Sequence, residues 1–281
     1  MFVFYLLSQL PFWFLYRISD VLFVLAYHGF GYRRKVVRDN LSCCFPEKSA
    51  KEILYLEREF YRHLCDVVVE TIKLISIPPA ELQKRIRHEN PGFADVVLAS
   101  GKSYVAMASH LGNWEWLLAG NALYLNGKID AVYKPLHNHF FDRLMLKIRT
   151  RFGCWPVPSE TVLRSQISRR AIPKGIAMAA DQTPGPENSA VITFLGRKTL
   201  FFKGPPKLAS KLNFPVFYAG IRKEARGRYV LFVEPMADPD GVGEEAILTD
   251  FAARLERDIR LQPAFWLWSH KRWKHSVPEA V

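Results

Sequence analysis

The chain has 281 residues, enough for one large domain or two small ones. Hydrophobic residues make up 49% and aromatic residues 14%, which is ample for a core and excludes an intrinsically disordered chain. Lys and Arg number 39 against 27 Asp and Glu, a formal charge of +12, so the surface suits a polyanionic partner: nucleic acid, an anionic membrane, or an acidic protein or substrate.

Residues 2–30 form the most apolar stretch, with full charge only at Arg17 and Asp20. It has neither the basic start nor the small-residue cleavage site of a secretory signal. A spanning helix needs about 20 apolar residues. Pro11 and the Arg17/Asp20 pair, whose spacing lets them meet on one helix face, divide this run into shorter pieces. The expectation is a membrane-associated helix that lies in the interface or makes a tilted, marginal span. Phe2, Phe4, Phe12, Trp13 and Phe14 would then sit at the headgroup boundary. The basic run Tyr32-Arg33-Arg34-Lys35, with Arg38 behind it, favours the cytoplasmic face and anionic lipid. Cys43, Cys44, Cys65 and Cys154 offer no disulfide framework and no CxxC spacing, and read as small buried hydrophobes in a reducing compartment.

Residues 49–76 predict a helix. Ser49 and Glu52 have capping-box spacing, Ile53, Leu56, Phe60, Leu64, Val67 and Val68, Ile72 and Ile75 recur at three to four residues, and Pro78-Pro79 stops the pattern. From about residue 90 short apolar runs alternate with helical ones. Strands are predicted at Tyr104–Ser109, Ile129–Lys134, Gly175–Ala180, Ala190–Leu195, Phe214–Ile221 and Tyr229–Glu234. Helices are predicted near 114–126, 138–151, 160–172, 204–212 and 244–260. This alternation predicts an α/β fold with a mixed, largely parallel sheet flanked by helices. The expected organisation is a membrane anchor or interfacial helix over 1–30, a helical segment packing on the catalytic domain over 31–90, and an α/β domain over 91–281. Gly101-Lys102-Ser103 lacks the earlier glycine of a phosphate loop, since position 96 is Val96, and no GxSxG elbow is present.

The chemistry concentrates in Ser109-His110-Leu111-Gly112-Asn113-Trp114-Glu115. His110 follows a predicted strand, at the edge where α/β folds place ligands. Asn113 suits a helix N-cap, which puts Glu115 in the first helical turn, where the dipole stabilises a carboxylate. A turn at Gly112 would let Glu115 accept a hydrogen bond from one imidazole nitrogen and leave the other free to take a proton. Such a dyad suits a reaction whose nucleophile belongs to the substrate. A packed histidine beside a capping glutamate is the alternative.

His-x4-Glu after a strand resembles the His-x4-Asp/Glu signature of the glycerolipid acyltransferase superfamily. In the form Ser-His-Leu-Gly-Asn-Trp-Glu it resembles the bacterial lipid A late acyltransferases, the lauroyl/myristoyl type. The likeness covers nearly the whole chain: Arg38-x-Asn40-Leu41, Phe45-Pro46-Glu47, Tyr133-Lys134-Pro135, Arg149-x-Arg151-x-Gly153, Asp181-Gln182, Phe194-x-Gly196 and the tail from Trp266 to Lys274. It implies a glycerolipid acyltransferase-like fold at the cytoplasmic face of the bacterial inner membrane. It further implies an acyl thioester donor from acyl carrier protein, a lipid acceptor, anionic membrane lipids as partners, no cofactor and no metal. His110 and Glu115 would be catalytic. Asn113, Lys134, Arg149, Arg151, Asp181, Gln182, Gly196 and Gly204 would bind substrate. Arg149, Arg151 or backbone amides near Gly196 or Gly204 would stabilise the tetrahedral intermediate, or the arginines would hold an acceptor phosphate. Asp181-Gln182, at a strand end, would orient the acceptor or cap the next turn.

Other readings remain at this point. Related enzymes acylate lysophospholipids or aminolipids with the same dyad. A basic membrane-binding protein without catalysis would leave the His/Glu pair unexplained. The tail from Trp266 to Lys274 interleaves aromatic and basic residues, which suits a membrane headgroup belt or nucleic-acid stacking, with a packed helix end carrying a basic rim as the alternative. It lacks the context of a nucleic-acid module and the apolar N-terminus favours membrane, so no nucleic-acid partner is expected.

Overall fold

The computed structural model describes residues 1–90, 92–236 and 241–275. Of the domain expected over 91–281, residue 91, residues 237–240 and residues 276–281 lie outside the described residues.

The apolar start folds into two helices, α1 (Phe2–Gln9) and α2 (Phe12–Phe23), the second prolonged by a π-helical turn over Val24–Gly29. Pro11 separates them, and the chain bends by 119° there. Among the described residues no single helix is long and apolar enough to cross a membrane. Ser8, Leu15, Ser19 and Tyr27 face inward, while Phe2, Trp13 (68% exposed) and Phe30 (84% exposed) stand in the open. Arg17 and Asp20 do approach each other, at 4.0 Å.

Next come α3 (Arg34–Cys44), α4 (Ala50–Lys73) and α5 (Pro79–Gln83). The Ser49/Glu52 capping box is formed, and the apolar stripe of α4 is buried at Ile53, Leu56, Phe60 and Val67. The basic run before α3 is spent partly inside the molecule. Arg34 and Arg38 pair with the fully buried Glu57, and Arg33 donates to the Ser269 carbonyl, which leaves Arg33 and Lys35 as exposed charges of that run without a carboxylate partner among the described residues. All four cysteines are free; Cys44, Cys65 and Cys154 are buried as expected, but Cys43 is exposed, on the outer side of α3.

The remaining elements are β1 (Ile86–Glu89), α6 (Phe93–Ala99), β2 (Tyr104–Ala108), α7 (Trp114–Tyr124), β3 (Ile129–Tyr133), α8 (His139–Thr150), β4 (Trp155–Pro158), α9 (Val162–Ser168), β5 (Gly175–Ala179), β6 (Ser189–Phe194), β7 (Arg197–Phe202), α10 (Gly204–Leu212), β8 (Val216–Ala225), β9 (Arg228–Pro235) and α11 (Glu244–Leu261). Seven strands make one sheet in the order β1-β9-β8-β2-β5-β3-β4. Every pairing in it is parallel except β8 with β9. The fold is therefore α/β, mixed and largely parallel.

Two strands of this sheet gave no sequence signal. β1 reads Ile-Arg-His-Glu, too short for alternation, and starts the sheet before the boundary expected at residue 90. β4 carries Pro156 and Pro158, which a sheet accepts only at its edge, where β4 lies. The strand expected at Ala190–Leu195 is not in the main sheet. It pairs with β7 in a separate antiparallel hairpin, turned at Leu195 and Gly196, which both have positive φ.

Side chains alternate across a sheet, so each strand feeds two layers. Val105, Met107, Ile176 and Met178 pack with Leu208 of α10 and Ile247, Phe251 and Leu255 of α11. Tyr104, Ala106, Ala131 and Ala219 face Trp116 and Leu117 of α7 and Leu144 and Ile148 of α8. The tail is neither an exposed aromatic belt nor a helix end. Trp266, Trp268 and Arg272 are buried against the first layer, which leaves Lys271 and Lys274 exposed.

Candidate functional site

β2 and β5 are parallel neighbours with Ala108 opposite Ala179, and the Ala180 amide donates to the Ala108 carbonyl at 2.9 Å. Continuing that register sets His110 beside Asp181 just past the two strand ends. The Asp181 carboxylate meets the His110 ring at Nδ1 (2.7 Å) and accepts from the His110 amide (2.8 Å) and from Trp266 Nε1 (2.8 Å). With the proton on Nδ1 directed to Asp181, Nε2 is the free nitrogen. Nε2 faces a cavity of about 1150 Å³, with the Gln182 amide nitrogen 3.3 Å away and the Trp114 ring packed edge-on at 5.2 Å between centroids.

Burial works against charge on this imidazole, yet the Asp181 carboxylate and its hydrogen bond overcome that, and the His110 pKa stands above the ordinary histidine value. Burial likewise opposes ionisation of Asp181, but the bonds from His110 and Trp266 hold its carboxyl well below the usual carboxylate range. Chemically such a pair can serve as a base with its orienting acid; it is positioned by two strand ends and locked from behind by the tail, which bridges Leu111 to Trp266.

The expected His110–Glu115 hydrogen bond is not formed. Glu115 sits in the first turn of α7, 5% exposed, and both its oxygens are taken by Arg149 from the last turn of α8, at 2.6 and 3.0 Å. The physical reason is competition. A guanidinium fork satisfies two carboxylate oxygens at once, whereas one imidazole N–H satisfies one. Glu115 still acts on His110 through its charge, which helps raise the imidazole pKa. Both members of the Glu115–Arg149 pair line the cavity, as do Lys134 and Gln182.

Four expected substrate residues lie elsewhere. Asn113 caps α7 through Trp116 N (3.0 Å), and its amide donates to the buried Glu70 (2.7 Å), so both of its polar ends are used internally. Arg151 donates to the Leu74 carbonyl and covers the Phe152 ring, away from the cavity wall. Gly196 forms the β6–β7 turn. Gly204 starts α10 where a side chain would strike the Phe202 ring. Neither glycine borders the cavity, so their amides are not donors to it. Asp181, expected to orient an acceptor or cap a turn, instead grips His110.

Three contributors went unread: Trp266 behind Asp181, Trp114 beside His110, and Glu70, which accepts from Tyr16, Asn113 and Tyr229. A signal existed for the His110–Asp181 pairing, because two apolar strands each end in a chemically active residue. Only the strand order, which sequence does not carry, makes them neighbours.

Residues 1–275 match the family model described as bacterial lipid A biosynthesis acyltransferase. The chain is 24% identical over 276 residues to a lipid A biosynthesis palmitoleoyltransferase of Escherichia coli K12, covering 97% of this chain and 89% of that one. It is also 24% identical over 284 residues to a lipid A biosynthesis lauroyltransferase of the same organism, covering 99% and 91%. Among solved structures, the 1-acyl-sn-glycerophosphate acyltransferase of Thermotoga maritima aligns with a TM-score of 0.40 at 15% identity, over 93% of this chain and 96% of that one.

Proposed function

The chain belongs to the bacterial lipid A biosynthesis acyltransferase family and is an acyltransferase. From that premise we propose that it transfers a fatty acyl group from acyl carrier protein to a hydroxyl of a lipid A precursor at the cytoplasmic face of the inner membrane, with His110 as general base. The observation that carries the reading is the free Nε2 of His110, held by Asp181 at the wall of a cavity large enough for a lipid chain.

In this mechanism Nε2 takes the proton of the acceptor hydroxyl as its oxygen attacks the thioester carbonyl. Asp181 stabilises the imidazolium that forms. The tetrahedral oxyanion faces Arg149, whose charge is held in place by Glu115, and donors of that kind contribute about 3 to 4 kcal/mol. The C–S bond then breaks, the carbonyl re-forms as an ester, and the imidazolium returns its proton to the leaving thiolate. The enzyme itself is never acylated. Asp181 thus performs both tasks expected of Glu115, orienting the imidazole and stabilising its charged form, and Glu115 anchors the Arg149 cation instead.

The exposed aromatic face of α1 and α2, with the net charge of +12, supports seating on an anionic bilayer. Phe4 of α1 packs on Phe140 and Phe141 of α8, near cavity-lining Leu136 and Asp142, so the proposed seat adjoins the cavity rim. The test is transfer from an acyl carrier protein thioester to a lipid A precursor in mixed micelles, read by mass spectrometry. Ester product from the wild type and a loss of roughly 10²- to 10⁴-fold in His110→Ala is the expected result. Equal turnover in both proteins would remove the mechanism.

A further inference from the structure

The segment that carries His110 and Glu115 is gripped at two places. In its first half the Gly112 amide donates to the Phe265 carbonyl at 2.9 Å. In its second half it meets a carboxylate that takes no part in the base chemistry. Glu70 of α4 is fully buried, and its two oxygens accept from Tyr16 of α2 (2.9 Å), Tyr229 of β9 (2.7 Å) and Asn113 (2.7 Å). Its backbone carbonyl accepts from Trp116 Nε1 at 3.1 Å. Burying a carboxylate is unfavourable even when it is well bonded, and an apolar side chain would pack the same site without that penalty. An acid at this place therefore points to a task beyond packing.

Asn113 joins this acid to the reaction. Its Oδ1 accepts from the Trp116 amide at 3.0 Å, which caps α7, and its Nδ2 donates to Glu70. The orientation is compelled, because a flipped amide would set oxygen against carboxylate and NH2 against N–H. Serine and aspartate cap helices as well as asparagine does. Serine, however, stops an atom short of the acid, and aspartate has no donor to offer it. Directly after the cap come Trp114, edge-on to the His110 ring at 5.2 Å, and Glu115, whose two oxygens hold Arg149. The direction in which α7 starts thus fixes where the Arg149 guanidinium stands relative to Nε2 of His110.

We propose that Glu70 is a positioning residue for acyl transfer: through the Asn113 amide it fixes the first turn of α7, and with it the Glu115–Arg149 pair and the Trp114 ring beside the base, while Tyr16 ties the same acid to α2. The inference rests on the acyl-transfer reading above and deepens it. Glu70 itself does not border the cavity, so it acts through Asn113 and not on substrate. A catalytic group displaced by about 1 Å is enough to lower a rate by about 10²-fold.

The test runs the Asn113–Glu70 hydrogen bond backwards. It uses the full-length enzyme with an acyl carrier protein thioester and a lipid A precursor in mixed micelles, well below the melting temperature of each variant. Asn113→Asp keeps a good cap but sets two carboxylates against each other. Its kcat should fall by about 10²-fold while the KM for the thioester stays within about twofold. In the double variant Glu70→Gln/Asn113→Asp the new amide donates to the new acid and to Tyr229, and its oxygen accepts from Tyr16. Every bond of the cluster is kept, and kcat should return to within about threefold of wild type. Asn113→Ser, which caps α7 without reaching Glu70, should show the same fall in kcat and keeps the proposal testable if Asn113→Asp fails to fold. Wild-type kcat in Asn113→Ser, or a folded double variant as slow as Asn113→Asp, would overturn the proposal and leave Glu70 to packing alone. A raised KM with unchanged kcat would overturn it too, and return Asn113 to substrate binding. Wild-type protein that transfers no chain from the thioester would remove the acyl-transfer reading instead.

Discussion

The two faces of the central sheet are built from the same strands and do opposite work. Residues 105 and 107 of β2, with 176 and 178 of β5, present Val, Met, Ile and Met to a packed layer with α10 and α11, and of these four Met178 alone also borders the cavity. Their alternates, 106 and 108 with 177 and 179, are all alanine, and that layer is open. Past the strand ends His110 keeps the open count and borders the cavity, while Leu111 and Ala180 keep the closed count and are buried, Ala180 also touching the cavity wall. Stability and chemistry are thus separated by a single residue of register. On the open count a substitution should cost turnover and little stability. On the closed count it should cost stability first.

The largest expected effect is on the open face. His110→Ala should reduce turnover by about 10²- to 10⁴-fold while thermal unfolding stays near wild type, because the side chain borders a cavity rather than filling a core. A melting curve that collapses along with activity would break the division between faces. Asp181→Asn sharpens it. The wild-type rate should rise with pH through a His110 pKa above the ordinary histidine value, since the neutral ring is the base and the Asp181 charge favours its protonated form. Removing that charge lowers the pKa, so the rising limb should move to lower pH. The plateau should fall by roughly 10³-fold as the tautomer and the imidazolium both lose their partner. A lower plateau with an unmoved limb would mean that Asp181 positions the ring without tuning it.

Next in size is the closed face. Met107→Ala should cost about 2 to 5 kcal/mol of stability, as removal of a buried side chain leaves a cavity. Its opposite number, Ala131→Val on the open face, should stay within about 1 kcal/mol, because the added methyl groups enter existing space. Denaturant midpoints for the pair read the comparison directly. Equal losses would show that the hollow is as tightly packed as the core.

Most strands of the main sheet were legible because their apolar runs are bounded by turn residues, and α4 and α7 because Ser49 and Asn113 mark starts that the structure retains. Which strands adjoin was not legible, and that hid the His110–Asp181 pair. Glu115 was rightly seen at the head of α7, but its partner arrives from α8 through a turn of the fold that no local spacing records. The tail misled for a related reason. Alternating Trp and basic residues read as a surface belt until Trp266 is seen to be needed inside, as a donor to Asp181. Prolines 156 and 158 masked β4, since a proline-containing tetrapeptide qualifies as a strand only once its edge position is known.

The smallest expected effect belongs to neither face. Trp13 is 68% exposed on α2, where its ring packs edge-on to Phe14. Trp13→Ser should leave the unfolding free energy within about 0.5 kcal/mol, as exposed substitutions do. It should also leave turnover unchanged when donor and acceptor are both presented in detergent. What it removes is apolar area for a bilayer, on the order of 2 kcal/mol for a full aromatic side chain. Co-sedimentation with vesicles containing phosphatidylglycerol should therefore weaken by roughly ten- to thirtyfold, since 1.4 kcal/mol is a factor of ten. Adding Phe30→Ser should weaken it further, because Phe30 is exposed at the other end of the same helical segment. If the double variant binds vesicles as the wild type does, the apolar surface of α1 and α2 is not the membrane seat. If it loses turnover in detergent as well, those helices support the cavity rim through Phe4 and the aromatic pair on α8, and their role is structural before it is interfacial.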